Sequence, residues 1–199
     1  MGLTVTVITA VIPPRAAFLQ RSITSVAEQT RRPDAHIVQV DHHRAGGPAT
    51  LDAAIAAATT DLVAILDDDD ELLPRHLEVC VGAMEATGAD LVYPWFRYSS
   101  TGDGGHLERW RGVPWVQGRA HQVPITWVAR RDAVLDAGGF SGGFDPRSYD
   151  VDEQGNRIGY DFHLIRKLDA AGADIRHVDE VTWIYHVHPF QTLGMPNRW

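Results

Sequence analysis

The chain has 199 residues, of which 44% are hydrophobic and 22% charged, an ordinary composition for a globular protein with a sizeable core. Its formal net charge of -8 disfavours nonspecific binding to nucleic acid or to an anionic membrane surface. The one cysteine, Cys80, permits no internal disulfide, which fits a reducing, cytoplasmic location. We expect a single domain over residues 1–199.

The first apolar stretch, residues 4–11, is rich in β-branched side chains and has no basic flank, which indicates a buried strand rather than a signal peptide or membrane span. Leu19, Ile23 and Val26 then recur at helical spacing. In chain order we predict strand 4–11, helix 15–30, strand 35–40, helix 49–60, strand 62–66, a helix beginning at Pro74, strand 89–96, a strand and short helix over 126–137, helix 159–172 and strand 174–188. This alternation predicts an α/β fold with a mostly parallel sheet.

Two segments interrupt the alternation, residues 99–118 and the Gly-, Asp- and Pro-rich residues 141–157. Residues 99–118 are irregular and contain Trp110 and Trp115 among Gly, Ser and Thr. They are typical either of a mobile loop that covers a substrate or of a tolerated surface insertion. No Gly-x-Gly-x-x-Gly follows the first strand, which disfavours a dinucleotide-binding fold.

The most informative stretch is a run of four aspartates, residues 67–70, which directly follows the apolar run 62–66. Ligands of open α/β sheets gather at the carboxyl ends of strands. Adjacent carboxylates repel one another, and a hard divalent cation with oxygen ligands offsets that repulsion. The run therefore indicates a metal site. The competing interpretation is a solvated acidic turn in which Asp70 caps the following helix.

Four stretches resemble the nucleotide-binding half of a GT-A fold glycosyltransferase, most similar to family 2. The third of them contains the Asp-x-Asp-like acids, and the fourth, Gly159-Tyr160-Asp161, is similar to the helix that carries the family's catalytic base. The four stretches are residues 5–30, residues 37–41, residues 66–78 and residues 159–172. The resemblance implies a Rossmann-like α/β/α sandwich with a mixed, mostly parallel sheet. It divides the single domain into a donor-binding half, 1–96, and an acceptor and catalytic half, 97–199.

The sequence departs from the family pattern at several places. The usual first-loop Pro-Thr-Tyr-Asn is replaced by residues 9–12, Thr-Ala-Val-Ile, and a second acid after Asp41 is replaced by His42. Leu51 stands where the family has an arginine that would face the diphosphate, and Tyr160 stands where it has a glutamate. These departures bear on donor identity and on the level of activity.

The resemblance also implies roles for individual residues. Asp69 is expected to bind the metal directly, and Asp67 to lie near the ribose or a metal-bound water. Asp68 and Asp70 are expected to point differently, because alternate residues of an extended segment face opposite ways. Asp161 is the expected general base, or else a helix N-terminal acid stabilised by the macrodipole. The remaining expected donor contacts come from Thr9, Ala10, Val11, Asp41, Asp67 and Asp68.

Histidines offer further ligands. By the resemblance, His188 is expected to complete the metal site, with His186 as the less favoured choice; both are alternatively ordinary surface residues. A zinc site is the rival use of these two together with His42 and His43, since zinc favours nitrogen ligands.

The leading hypothesis is an inverting glycosyltransferase that uses Mn²⁺ or Mg²⁺ to move a sugar from a nucleoside diphosphate sugar, with a UDP-sugar favoured, to an unidentified acceptor hydroxyl. The alternatives are a non-catalytic module that binds nucleotide sugars and a sugar nucleotidyltransferase. The absence of a Gly-rich phosphate loop after the first strand disfavours the nucleotidyltransferase.

Overall fold

A computed structural model describes residues 2–99, 110–144 and 159–187 of the chain. Within these residues, seven strands form one sheet in the order β2-β1-β3-β6-β5-β7-β4. The strands are β1 Val5–Val11, β2 Ala35–Val40, β3 Leu62–Ile65, β4 Glu71–Leu72, β5 Leu91–Tyr98, β6 Val128–Arg130 and β7 Ile175–Tyr185. β1 pairs in parallel with β2 and β3, and β5 pairs in parallel with β7. β6 and β4 pair antiparallel to their neighbours, so the sheet is mixed.

Helices cover both faces of the sheet. They are α1 Ala16–Ala27, α2 Gly47–Ala57, α3 His76–Thr87, α4 Arg131–Asp136 and α5 Tyr160–Ala170. Alternate residues of β3 face opposite sides, so that Leu62 and Ala64 join α1 and α3, whereas Val63 and Ile65 join α2, α4 and α5. The result is an α/β/α sandwich with an apolar core on each side of the sheet, and the predicted fold class is confirmed.

The structure corrects the prediction in two places near the acidic run. The helix predicted to begin at Pro74 begins at His76. Strand β4 was not predicted, because a two-residue strand has too few positions for an alternation to show. β4 pairs with Trp183 and Ile184 of β7, and this pairing brings the end of β7 to the acidic run.

Polar residues in and just after α1 hydrogen-bond to the chain at β4, on the side of β4 away from β7. Ser22, Ser25 and Val26 are the buried residues of α1, whereas the predicted face residues Leu19 and Ile23 are only half-buried. The Leu72 amide donates to Ser25 Oγ at 3.1 Å, and the Gln29 side-chain amide donates to the Leu73 carbonyl at 2.8 Å. Ser25 and Gln29 therefore provide hydrogen-bond partners for backbone groups at this edge of the sheet. Larger apolar side chains at these positions would keep α1 farther from β4.

The second part of the predicted loop is anchored to the protein. The ring of Trp115 lies edge-on to that of Tyr93, with 6.5 Å between centroids, and the Gly118 amide donates to Asp169 at 2.7 Å. The first part, residues 100–109, lies outside the described residues, so the mobility of the whole loop stays a prediction. None of the helices described by the structure has the length and apolarity needed to cross a membrane.

A buried histidine links α3 to β7. His76 Nδ1 lies 2.8 Å from Thr182 Oγ1, and both residues are almost fully buried. Burial lowers the pKa of His76 to about 3, so its ring is neutral at physiological pH.

We predict that Thr182→Val lowers the free energy of unfolding by about 1–3 kcal/mol, because it removes the hydroxyl that pairs with Nδ1 of the buried His76 ring. Urea denaturation at neutral pH measures the change. Thr87→Val is the matched control, because the Thr87 hydroxyl donates to Ala83 at the exposed end of α3. An equally small effect of both substitutions would contradict the importance of the buried pair.

Candidate active site

The acidic run forms a turn at the carboxyl end of β3. The Asp70 amide donates to the Asp67 carbonyl at 3.2 Å. The turn brings one carboxylate oxygen each from Asp67, Asp69 and Asp70 within 4.8 Å of one another. The expectation that Asp70 points away from Asp69 is therefore wrong, because the alternation argument holds only for an extended segment.

Asp70 lies inside the site rather than at a helix end. Its Oδ1 accepts the His186 amide at 2.9 Å, and its Oδ2 is buried and accepts no hydrogen bond from the described residues. Helix α3 begins after Arg75 and receives no side-chain cap. The interpretation of Asp70 as a helix cap is thus wrong, because the carboxylate lies with those of Asp67 and Asp69 instead.

Two arginines lie against the turn. Arg15 ends a short 3-10 helix, Pro13–Arg15, that directly follows β1. Its Nη2 lies 2.8 Å from Asp68 Oδ1 and also pairs with Asp69 Oδ2. Arg21 of α1 donates to the Asp69 carbonyl at 2.5 Å. Sequence reasoning did not assign either residue, although the position of Arg15 just after β1 places it at the edge of the sheet where β3 also ends.

The clustering and burial of these acids raise the pKa values of Asp67, Asp68 and Asp70. Burial, followed by the nearby charges of Asp69 and Asp68, raises the pKa of Asp67 to about 8. Burial outweighs the Arg15 guanidinium and raises the pKa of Asp68 to about 7. Burial and the charge of Asp67 hold the pKa of Asp70 well above its ordinary value. The cluster therefore retains protons near neutral pH unless a further cation binds.

The donor atoms suit a hard divalent cation. Asp67, Asp69 and Asp70 offer only carboxylate oxygens, which Mg²⁺ and Mn²⁺ prefer. The orphaned, buried Oδ2 of Asp70 is the kind of atom that a bound ion would satisfy. Within the described residues this is the one group of three such ligands, and the exposed His42 and His43 do not belong to it.

Asp161 faces the cluster from the first turn of α5. Its charge is close enough to contribute to the raised pKa of Asp67. Burial raises the pKa of Asp161 itself, although its own amide and that of Phe162 donate to its carboxylate and oppose the shift. A Cβ at position 159 would collide with Asp161 Oδ1, so Gly159 gives this carboxylate the space to turn back over the start of the helix.

Tyr160 stands between the two halves of the site. Burial raises its pKa, and the charges of Asp67 and Asp161 add to the shift. Its hydroxyl would lie 3.2 Å from a Cβ at Gly47, so the ring packs against the start of α2. A small residue at position 47 is what permits this contact.

The expected donor-contacting residues line the ends of β1 and β2. Thr9 is buried, and its Oγ1 lies 3.0 Å from His36 Nε2 of β2. Asp41 follows β2, and its two carboxylate oxygens accept the amides of Ala45 and Gly46 at 2.9 and 2.8 Å. Asp41 thus organises the loop before α2, which matches its alternative interpretation as a turn residue. Ala10 and Val11 complete the β1 end, and their contact with a donor stays a prediction.

The expected histidine ligand His188 lies outside the described residues. His186 does reach the site: its amide binds Asp70, and its Nε2 lies 3.2 Å from Glu71 Oε2. Burial lowers the pKa of the His186 imidazole, which favours the neutral form that can bind a metal. β4 is the reason that His186 lies here, and a two-residue strand is too short to leave a pattern in the sequence.

Comparison with known proteins places the chain in a family. The sequence matches the profile of glycosyl transferase family 2 over residues 28–133, more than half of the chain. The chain therefore belongs to glycosyl transferase family 2, a family of glycosyltransferases. No curated protein matches the sequence.

Solved structures show the same fold. The crystal structure of S. aureus TarS 1-349 matches with a TM-score of 0.71 and 14% identity, over 92% of this chain and 60% of the TarS 1-349 chain. The complex with UDP matches with a TM-score of 0.70, 13% identity and coverage of 94% and 61%. The complex with UDP-GlcNAc matches with a TM-score of 0.73, 11% identity and coverage of 95% and 60%. The chain spans about 60% of the length of these structures, and at this identity the likeness establishes the GT-A fold.

We predict that Asp67→Asn gains stability relative to wild type as pH rises. A carboxyl with a raised pKa stabilises the folded chain below its unfolded value of 3.8, and that contribution is lost as pH rises toward about 8. Asn does not titrate, so without metal the difference in unfolding free energy should grow with pH, by at most about 1.4 kcal/mol per pH unit.

Urea denaturation in EDTA, in steps from about pH 5 to about pH 8, measures this difference across the window that the shifted pKa defines. Asp132→Asn is the control, because the Asp132 side chain is 87% exposed. A difference between Asp67→Asn and wild type that stays constant with pH would contradict the buried, proton-retaining state of Asp67.

Proposed function

We propose that the chain is a metal-dependent, inverting glycosyltransferase that moves a sugar from a nucleoside diphosphate sugar to an acceptor hydroxyl. The observation that carries the proposal is the group of Asp67, Asp69 and Asp70 at the end of β3 with Asp161 facing it, in a chain of family 2. TarS has been crystallised with UDP and UDP-GlcNAc, which supports a UDP-sugar as the first donor to test.

The acids of the turn hold the metal. Asp69 and Asp67 are the proposed ligands from the sequence, and Asp70 joins them because one of its carboxylate oxygens lies within 4.8 Å of theirs and its Oδ2 has no hydrogen-bond partner among the described residues. When bound, Mn²⁺ or Mg²⁺ supplies positive charge for the diphosphate that leaves. His188 remains a proposed further ligand, and His186 is already at the site through its contact with Asp70.

The strand ends hold the nucleoside. Thr9, Ala10 and Val11 are proposed to line it through the end of β1, with Asp41 at the end of β2. Asp41 fixes the loop 41–46 with both carboxylate oxygens, so its contribution is to shape this wall as well as to contact the base or ribose. Asp67 and Asp68 are proposed to approach the ribose from the end of β3.

Asp161 accepts the proton of the acceptor hydroxyl. Its raised pKa makes it a stronger base than an exposed aspartate, and two amides at the start of α5 hold the carboxylate in position. A single base opposite the leaving group implies in-line attack and inversion at the anomeric carbon. The proton passes to Asp161 as the new glycosidic bond forms and the bond to the diphosphate breaks.

This assignment divides the domain by role. Residues 1–96 carry the proposed donor contacts and the metal-binding aspartates, and residues 97–199 carry the proposed base, the further metal ligand His188 and the acceptor contacts. A cytoplasmic setting remains part of the proposal, because Cys80 is free and buried.

We predict different defects for two substitutions of the proposed site. Asp69→Asn should abolish Mn²⁺-dependent binding of the donor, because it removes a metal ligand. Asp161→Asn should retain donor binding and lower turnover by about 100-fold or more, because the base is lost. Release of nucleoside diphosphate from UDP-, GDP- and dTDP-sugars with Mn²⁺ measures turnover, and calorimetry measures binding.

Asp132→Asn is the matched control for Asp161→Asn. Asp132 is also a first-turn helix acid, in α4, so this substitution tests the macrodipole interpretation without touching the site. Equal loss of donor affinity in the Asp69 and Asp161 variants would contradict their separate roles, and a retained anomeric configuration would contradict a single base. Pyrophosphate release from a nucleoside triphosphate and a sugar phosphate would indicate a nucleotidyltransferase, and donor binding without turnover would indicate a binding module.

A further inference from the structure

Arg15 places a positive charge beside the proposed metal ligands, and the proposed function assigns it no role. Its guanidinium pairs with Asp68 and Asp69 and is only 12% exposed. Asp69 is also a proposed metal ligand. Arg15 and a metal ion therefore compete for the same carboxylate.

The backbone around Arg15 is held, whereas its side chain is only partly satisfied. The Arg15 amide donates to the Ile12 carbonyl at 2.9 Å. The two residues before Arg15 are Pro13 and Pro14, whose rings restrict the backbone φ angle. The side-chain Nε is buried and has no hydrogen-bond partner among the described residues. The guanidinium therefore has one N–H donor, at Nε, without a partner among the described residues, while the Arg15 backbone is held near the end of β1.

The diphosphate of the donor is the natural new partner for a guanidinium that is displaced from Asp69. The planar fork of the guanidinium matches the geometry of phosphate oxygens, and it remains charged at all physiological pH values. Thr9, Ala10 and Val11, which lie four to six residues before Arg15 at the end of β1, are those proposed to line the donor nucleoside. The diphosphate of a donor bound there, and held by the metal, is the anion within reach of Arg15.

We propose that Arg15 is an exchangeable counter-ion, which neutralises Asp68 and Asp69 in the free protein and moves to the donor diphosphate when metal and donor bind. This inference rests on the proposed function and adds a positioning role for a residue outside it. Metal alone must displace Arg15 without giving it a new partner, whereas metal with a diphosphate provides one. Arg15 therefore makes the binding of metal and nucleoside diphosphate more cooperative.

Arg21 does not share this role. It contacts the backbone carbonyl of Asp69 rather than a carboxylate, so it supports the turn in both states. Arg75 gives a matched control for the loss of an arginine, because it pairs with Glu78 and Glu180 on the surface.

The test measures two affinities with opposite expected changes. For Arg15→Ala, the affinity for Mn²⁺ without nucleotide should rise about 10-fold, and the affinity for UDP at saturating Mn²⁺ should fall about 10-fold, the size expected for a charge-assisted hydrogen bond. Electron paramagnetic resonance of free Mn²⁺ and calorimetry with UDP provide the readouts, and neither depends on turnover. Arg75→Ala should change neither affinity.

A purely structural role for Arg15 predicts a different result. It would lower both affinities together, or lower thermal stability and leave both affinities unchanged, and either result overturns the exchange. Arg15→Lys keeps the charge but not the fork, so it should leave the Mn²⁺ affinity near that of wild type and still weaken UDP. If Arg15→Ala does not fold, Arg15→Gln replaces it, with the same two readouts and the same expected signs.

Failure of the proposed function gives a separate signature. If the wild-type chain binds no Mn²⁺, with or without UDP, the metal site itself is overturned, and the exchange falls with it. If wild type binds both and the Arg15 variants do not show opposite changes, the metal site stands and the exchange alone is wrong.

Discussion

The mutual repulsion of the carboxylates at the end of β3 is the constraint on which the site depends. Two unit charges about 5 Å apart repel by about 3 kcal/mol at an effective dielectric near 20. The chain moderates this cost through the Arg15 guanidinium, the amides that approach the turn, and protons retained by Asp67 and Asp68. A site that keeps so much negative charge buried gains a great deal from a divalent cation, and this gain is what the proposed chemistry uses.

The short pairing of β4 with β7 gives the site its second wall. β4 follows the acidic turn at once, so its register with β7 places the end of β7 against Asp70. Ser25 of α1 and Gln29 just after α1 bind the backbone of Leu72 and Leu73 from one side, and the pair of His76 and Thr182 links α3 to β7. These polar contacts bring Asp70 and His186 together, although the two residues are more than 100 positions apart in the chain.

The compensating charges also connect the two halves of the proposed reaction. Arg15 follows β1 in the half proposed to bind the donor, Asp161 lies in the first turn of α5 in the half proposed to bind the acceptor, and both influence the pKa of Asp67. Asp67 is therefore the residue at which the charges of Arg15 and Asp161 meet electrostatically. A change in charge at either of them alters the pKa of Asp67.

Local pattern alone was enough to predict most of the fold. The β-branched run of β1 and the apolar run of β3 are long enough for their burial to be read directly, and both lie in the core. The short helix after β6 and the helix with Asp161 in its first turn were also predicted at nearly their observed bounds. The four acids indicated a cation site because the chemistry of adjacent carboxylates depends on residue type and not on the fold.

The tertiary structure decided how those acids are used. Whether Asp70 faces Asp69 depends on a turn rather than an extended segment, and the choice of turn depends on the hydrogen bond to the end of β7. The pairing of Arg15 with Asp68 and Asp69 depends on β1 and β3 ending at the same edge of the sheet. Sequence determines which groups carry charge and which runs are apolar, because these are properties of single residues and their spacing. Contacts between distant segments are set by the packing of the whole sheet, so only the folded structure determines which charges meet.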